Sequence, residues 1–140
     1  MMTPPAIRRY SHGDRVYVRA QQVWMILVAH VMMTKGRKFS DRLLSYGQLA
    51  EKMGISTQAA IGLRRELGII GEYCLQNGLP ALNCIVVNQL SWTPGDGVVV
   101  GKKKTWRDEA RDSLNEDWFR YRVPSTGTLR QVWEEMAEAA

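Results

Sequence analysis

Cysteine and histidine are scarce in this chain of 140 residues, with two of each. Cys74 and Cys84 stand ten positions apart with no second Cys or His pair near them. The ligand spacing of a zinc site is therefore missing, and no metal is expected. So few thiols suit a reducing compartment, and the chain reads as cytoplasmic. His30 has no ligand partner nearby in sequence and is expected to be a hydrogen-bonded core or edge histidine. Long apolar runs are also lacking. The longest, residues 23–33, is interrupted by His30 and falls short of a bilayer's thickness. Residues 1–5 have no charged stretch leading into an apolar one, so neither a signal peptide nor membrane association is expected. Paired carboxylates and Ser/His/Asp arrangements do not stand out, so no catalytic residue and no cofactor is expected. Gly97-Val98-Val99-Val100-Gly101-Lys102-Lys103 fails as a phosphate loop. It has three residues between its glycines instead of four, and no Ser or Thr after Lys102.

What is present is ordinary for a globular protein: 45% hydrophobic and 24% charged residues. The length suits one domain with a sizeable core. The net charge is +5 and the pI about 9.5, which is compatible with a polyanionic partner. Seven of the basic residues fall within residues 1–40 against Asp14 alone, residues 41–80 are balanced, and residues 81–140 are slightly acidic.

The most informative stretch is SYGQLAEKMGISTQAAIGLRREL, residues 45–67. Ser45 with Gln48 forms a capping-box start, and Leu49, Ala50 and Met53 share one helical face. Gly54 supplies a turn, and Ser56 is placed to cap a second helix whose Ala60, Leu63 and Leu67 point inward. Thr57, Gln58, Gly62, Arg64 and Arg65 are left on outer or flanking faces. That pattern is the recognition-helix arrangement of a helix-turn-helix. A helical hairpin that only packs is the plainer alternative.

Tyr46-Gly47-Gln48-Leu49-Ala50, Gly54 and Ala60-Ile61-Gly62 together resemble the Y-G-x-[LI]-A-x-x-x-G…A-V-G run of the O6-alkylguanine-DNA alkyltransferase family. Leu79-Pro80-Ala81-Leu82-Asn83-Cys84-Ile85-Val86-Val87 is similar to that family's P-x-x-x-P-C-H-R-V-V segment. The likeness covers residues 45–97 and implies a winged-helix DNA-binding domain, as in the family's non-catalytic relatives. The departures matter as much. Asn83-Cys84-Ile85-Val86 stands where the family carries P-C-H-R, so the histidine that assists the cysteine is absent. Ala59 stands where the family has its arginine finger, and the segment between Gly62 and Pro80 is longer. Cys84 is accordingly expected to be a buried structural thiol.

In the rest of the chain, residues 1–13 read as an irregular arm, solvated or lying on a DNA backbone. Residues 14–18 read as a short strand or an extended lead-in, and residues 19–33 as a long helix. The basic loop TKGRKFSD, residues 34–41, would lie near bound phosphate. A further short helix is expected over 68–78 and a strand over 81–88. A turn at 94–97 and a second strand at 98–100 would complete a wing. Lys102, Lys103 and Lys104 would then either grip the phosphate backbone or form a solvated face. Thr105 with Asp108 starts another helix, residues 115–124 read as an aromatic edge strand, and Thr128 with Gln131 opens a closing amphipathic helix. The expectation is one α+β domain: a winged helix-turn-helix core (residues 41–101), an N-terminal helix and basic loop (14–40) and a C-terminal helical extension (102–140). Its expected role is non-catalytic binding of double-stranded DNA, in regulation or in recruiting another factor. The DNA-binding residues would be Ser56, Thr57, Gln58, Arg64, Arg65, Lys102, Lys103 and Lys104. The alternatives are a protein-binding adaptor or inhibitor, of mobile-element or phage type, on the same scaffold, with a protein partner or homodimer, and an alkyltransferase-like repair protein.

Overall fold

The first long helix organises the molecule. In the computed structural model, which describes residues 3, 6, 12–94, 101 and 104–139, α1 runs Arg15–Met33. Ala20, Val23, Trp24, Leu27, Val28 and Val31 fall on one side of it and are buried. By length and composition alone α1 could cross a bilayer; here that apolar side forms the core. The strand expected at 14–18 is absent, because Val16 and Tyr17 continue the helix and pack beside Leu129 and Val132.

After α1 come a short α2 (Phe39–Arg42), β1 (Leu44–Ser45) and α3 (Tyr46–Lys52). The capping box forms as expected. Ser45 Oγ accepts from the Gln48 amide at 3.1 Å, and Gln48 Oε1 accepts from the Ser45 amide at 2.8 Å. Gly54 makes the turn with φ +74°, a backbone region that favours glycine. The second member of the pair is not a plain α-helix. It begins as a 3₁₀ helix, Thr57–Leu63, and passes directly into α4, Arg64–Gln76. The 3₁₀ winding stacks positions three apart, which suits the burial of Ala60 and Leu63 on one face. The separate helix expected at 68–78 is instead the second half of α4. Ile69, Ile70 and Cys74 are buried there, and their burial outweighs the cost of about 1 kcal/mol for each of Gly68 and Gly71.

The strand expected at 81–88 is largely a 3₁₀ turn, Leu82–Ile85, followed by β2, Val86–Val87. Every residue from 81 to 87 is buried, so the segment is held by side chains from α5 (Trp106–Asn115) rather than by a ladder. Glu109 Oε1 accepts from the Ala81 amide at 3.0 Å, and Ser113 Oγ donates to the Ala81 carbonyl at 2.8 Å. β2 pairs in parallel with β1, Leu44 opposite Val86 and Ser45 opposite Val87. The strand expected at 98–100, most of the turn at 94–97, Lys102, Lys103 and nearly all of the arm at 1–13 lie outside the described residues.

The edge strand expected at 115–124 is replaced by a 3₁₀ turn, Trp118–Arg120. Trp118 breaks the alternation by burying its ring edge-on against Trp24, centroids 5.5 Å apart, while Nε1 donates to the Ser113 carbonyl at 2.7 Å. Phe119 is left exposed. The last helix, α6, starts at Thr126, earlier than the Thr128 box implies, and ends at Ala139. Ser125 Oγ, not Thr128, accepts the amide three residues on, at 3.1 Å, and Gln131 bonds Glu135. One apolar cluster joins α1, β1, α3, α4, β2 and α5, and a second ties α6 to α1 and α4. The result is a mostly helical α+β fold with a two-stranded sheet.

Candidate nucleic-acid interface

The helix pair presents a polar surface. Ser56, Thr57, Gln58, Arg64 and Arg65 are all exposed, while Ala60, Leu63 and Leu67 are buried as their spacing requires. A cleft of about 370 Å³ opens between the start of α3, the 3₁₀ helix and the segment after β2. Tyr46, Gly47, Thr57, Ala60, Arg64, Asn88 and Gln89 line it. Gly47 forms part of its floor. A Cβ built there would lie 3.7 Å from Thr57 Cγ2 and 3.9 Å from Gln89 Oε1. The cleft thus brings one guanidinium, two carboxamides, a hydroxyl and a phenol together. Arg64 and Thr57 can donate to phosphate oxygens and Gln89 can exchange paired hydrogen bonds with a base edge, while the Asn88 amide donates to the Pro94 carbonyl at 3.4 Å.

Asn88 and Gln89 do not stand out in the sequence as site residues. The signal for them is a polar pair directly after an apolar strand and ahead of a turn. That turn is closed by backbone bonds from the Asn88 amide to the Thr93 carbonyl and from the Trp92 amide to the Asn88 carbonyl, both 2.8 Å. Trp92, at φ +54°, anchors it by donating Nε1 to the Ser40 carbonyl at 2.9 Å. Leu90 stands fully exposed at its tip.

The two arginines differ. Arg64 lines the cleft, whereas the Arg65 guanidinium lies 6.0 Å from the Trp133 ring on α6. Next to them Glu66 is turned inward and buried, with Oε2 unpartnered. Burial raises its pKa, against the opposing pull of a backbone hydrogen bond and of Arg19, Arg65 and Arg15.

Lys104 is not brought to this surface. It lines a different hollow, with Leu75 and Gly78 at the far end of α4, and the 13 residues of α4 span roughly 20 Å. Its ammonium is engaged there by Asp112 Oδ2 at 2.8 Å and by the buried Glu109 at 3.1 Å. Hydrogen bonds to Asp112 and then Glu109 raise its pKa. The basic loop after α1 is also displaced from the cleft. Arg37 shares a hollow with Lys52, at the opposite end of α3 from Tyr46 and Gly47.

Cys84 is buried, and burial, with Glu109 and Cys74 next in effect, pushes its thiol up to about 12. A thiol in that state is a poor nucleophile at neutral pH. Among the described residues no group of three or more His, Cys, Asp and Glu side chains could hold a metal ion. No family model, curated protein or solved structure matches this chain.

Proposed function

We propose that this protein binds double-stranded DNA without catalysis, through the surface formed by α3, the Thr57–Leu63 turn and the start of α4. The observation that carries this reading is the cleft at Gly47, where Thr57, Arg64, Asn88 and Gln89 converge beside exposed Gln58. The interface is then Ser56, Thr57, Gln58, Arg64, Arg65, Asn88 and Gln89, with Lys104 left out because its charge is already met. Lys102 and Lys103, for which the sequence leaves a backbone grip and a solvated face equally open, are taken as backbone contacts in this proposal. The resemblance of residues 45–97 to alkyltransferase winged helices supports the same domain type. The buried Cys84 thiol favours a non-catalytic relative over an alkyl acceptor, and the role is regulatory or recruiting. A cytoplasmic location and freedom from membranes belong to this proposal.

The test is a titration of labelled duplex DNA at about 50 and about 200 mM salt, either side of physiological ionic strength. Replacing Gln58, Arg64 and Arg65 together with Ala should weaken binding. It should also flatten the dependence of log K on log salt by about 0.9 for each phosphate that is no longer neutralised. All three are exposed, so the unfolding midpoint should barely move. Lys104→Ala serves as the matched control and should bind like the parent. Unchanged affinity in the triple variant would rule this surface out.

A further inference from the structure

A second surface lies on the other side of α3. Two adjoining hollows, about 410 and 270 Å³, share Ile26 and Lys52 and so form one groove along α1. Gln22, Met25, Ile26, Ala29, His30 and Met33 make its floor. These positions recur at helical spacing on one face of α1, where Ile26 also packs against the edge of the core. Met25 is 48% exposed and Met33 78%. Lys52 and Met53 at the end of α3 form the opposite wall, and Thr34 and Arg37 line the groove just beyond the end of α1. From Gln22 to Met33 the floor runs roughly 16 Å, about three turns of a helix.

We propose that this groove docks an acidic amphipathic helix of a partner protein. Three observations select that occupant. The floor is apolar apart from Gln22 and His30, and it carries unbranched methionines, which adapt to a partner's side chains. Its charged lining residues, Lys52 and Arg37, are both cationic, and the exposed Lys35 and Lys38 flank Arg37 in the same loop. A second copy of this groove would set like charges against each other, so a symmetric dimer through this face is opposed. The concave shape between α1 and the end of α3 fits a helix better than a flat lipid surface, which needs protruding apolar groups.

The probe is a synthetic helical peptide of about five turns, roughly 18 residues, with leucines on one face and glutamates flanking them, beside a twin with lysines for glutamates. Amide shifts of the labelled full chain are followed during titration. The glutamate peptide should move the resonances of residues 22–33 and 52–53 and leave those of Thr57, Arg64 and Gln89 in place. Reversing the rim with Arg37→Glu and Lys52→Glu should weaken it about tenfold. Met25→Ser with Met33→Ser should abolish the shifts, with an unchanged far-ultraviolet spectrum because both residues are exposed. Equal binding of the lysine twin would overturn the proposal, as would no shift at millimolar peptide. So would capture by vesicles of phosphatidylcholine and phosphatidylserine in place of peptide, or self-association mapping to residues 22–33. None of these outcomes depends on whether the chain binds DNA.

Discussion

Arg42 offers the sharpest test of how this fold holds its helix pair. Its guanidinium is buried, and among the described residues no carboxylate lies within salt-bridge distance. Instead Nη2 donates to the Val31 and Leu114 carbonyls, each at 3.0 Å, and Nε donates to Thr34 Oγ1 at 3.3 Å. Those carbonyls belong to the last turns of α1 and α5, where backbone acceptors lack helical partners and the helix dipoles favour a cation. Arg42 therefore joins two helix ends two residues before β1. Its own carbonyl is held by His30 Nε2 at 2.8 Å. Burial lowers its pKa, which reflects the cost of keeping the charge there. Consider Arg42→Met, similar in length and without charge. The Leu114 carbonyl then has no donor from this side chain, and Val31 has only a 3.4 Å approach from the Thr34 hydroxyl, whose single proton is directed to the His30 carbonyl at 2.8 Å. A buried acceptor without a partner costs about 1–3 kcal/mol, and relief of the buried cation offsets part of the total. The net expectation is a loss of about 1–2 kcal/mol, or roughly 3–8 °C in midpoint for a chain of this size. Urea unfolding at equilibrium reads it, and the slope against denaturant should not change. Arg42→Lys should cost about half as much, since a single ammonium cannot reproduce the planar fork. A methionine variant as stable as the parent would refute the reasoning and show that desolvation cancels the bonds.

Two further outcomes follow from buried polar groups. A Cβ on Gly71 would sit 2.6–2.8 Å from the Asn83 carboxamide, so Gly71→Ala should destabilise by about 1–3 kcal/mol despite alanine's better helix propensity. Asn83 Oδ1 is buried without a partner, so adding Asn83→Ala should recover most of that loss, and a double-mutant cycle by urea unfolding should show strong coupling. His30 has its pKa lowered, first by burial and then by Lys52, Arg37 and Arg42, against the raising effect of its bond to the Arg42 carbonyl. Its contribution to stability is therefore complete above the unfolded value near 6.5 and is lost as pH falls through the folded value. Unfolding midpoints should fall more steeply below about pH 6.5 in the parent than in His30→Gln, and parallel curves would exclude His30 as the source.

Several local signals were legible where a residue's role depended on its immediate neighbours, although the Thr128–Gln131 box was not, since Ser125 caps that helix instead. The Ser45–Gln48 capping box, the turn at Gly54, the inward Ala60, Leu63 and Leu67, and the Thr105 cap, whose hydroxyl accepts from the Asp108 amide at 3.2 Å, all depend on residues a few positions apart. Partners distant in sequence were not legible. Residues 81–88 carry the β-branched composition of a strand, yet Glu109 and Ser113 hold Ala81, and only two residues enter the sheet. Residues 115–124 alternate like a strand until Trp118 turns into the core against Trp24, far away along the chain. Lys104 belonged by composition to a solvated or DNA-facing run. Its engagement by Glu109 and Asp112 depends on how the start of α5 meets the end of α4. Polarity shows which side chains avoid the core and says little about which charges are already met.

The two proposed surfaces meet at α3. The cleft proposed for DNA uses Tyr46 and Gly47 at the start of that helix, and the groove on α1 uses Lys52 and Met53 at its end. α3 has seven residues, so the two sets of side chains are separated by only about 10 Å. They nevertheless share no residue, and the helix between them is fixed at its N-terminus by the capping box and buried through Leu49 and Ala50. Occupying one surface therefore takes no lining residue from the other. It also gives them a common rigid element. A chain built this way is suited to hold a partner protein and duplex DNA together, the recruiting form of the proposed role. That form makes a stricter demand than either binding event alone. With the glutamate peptide saturating the groove, duplex affinity at about 200 mM salt should stay within about twofold of its value without peptide, well under the tenfold that about 1.4 kcal/mol of coupling would give. A large loss would mean that the two ligands compete, and the recruiting role would fall even if each binds separately.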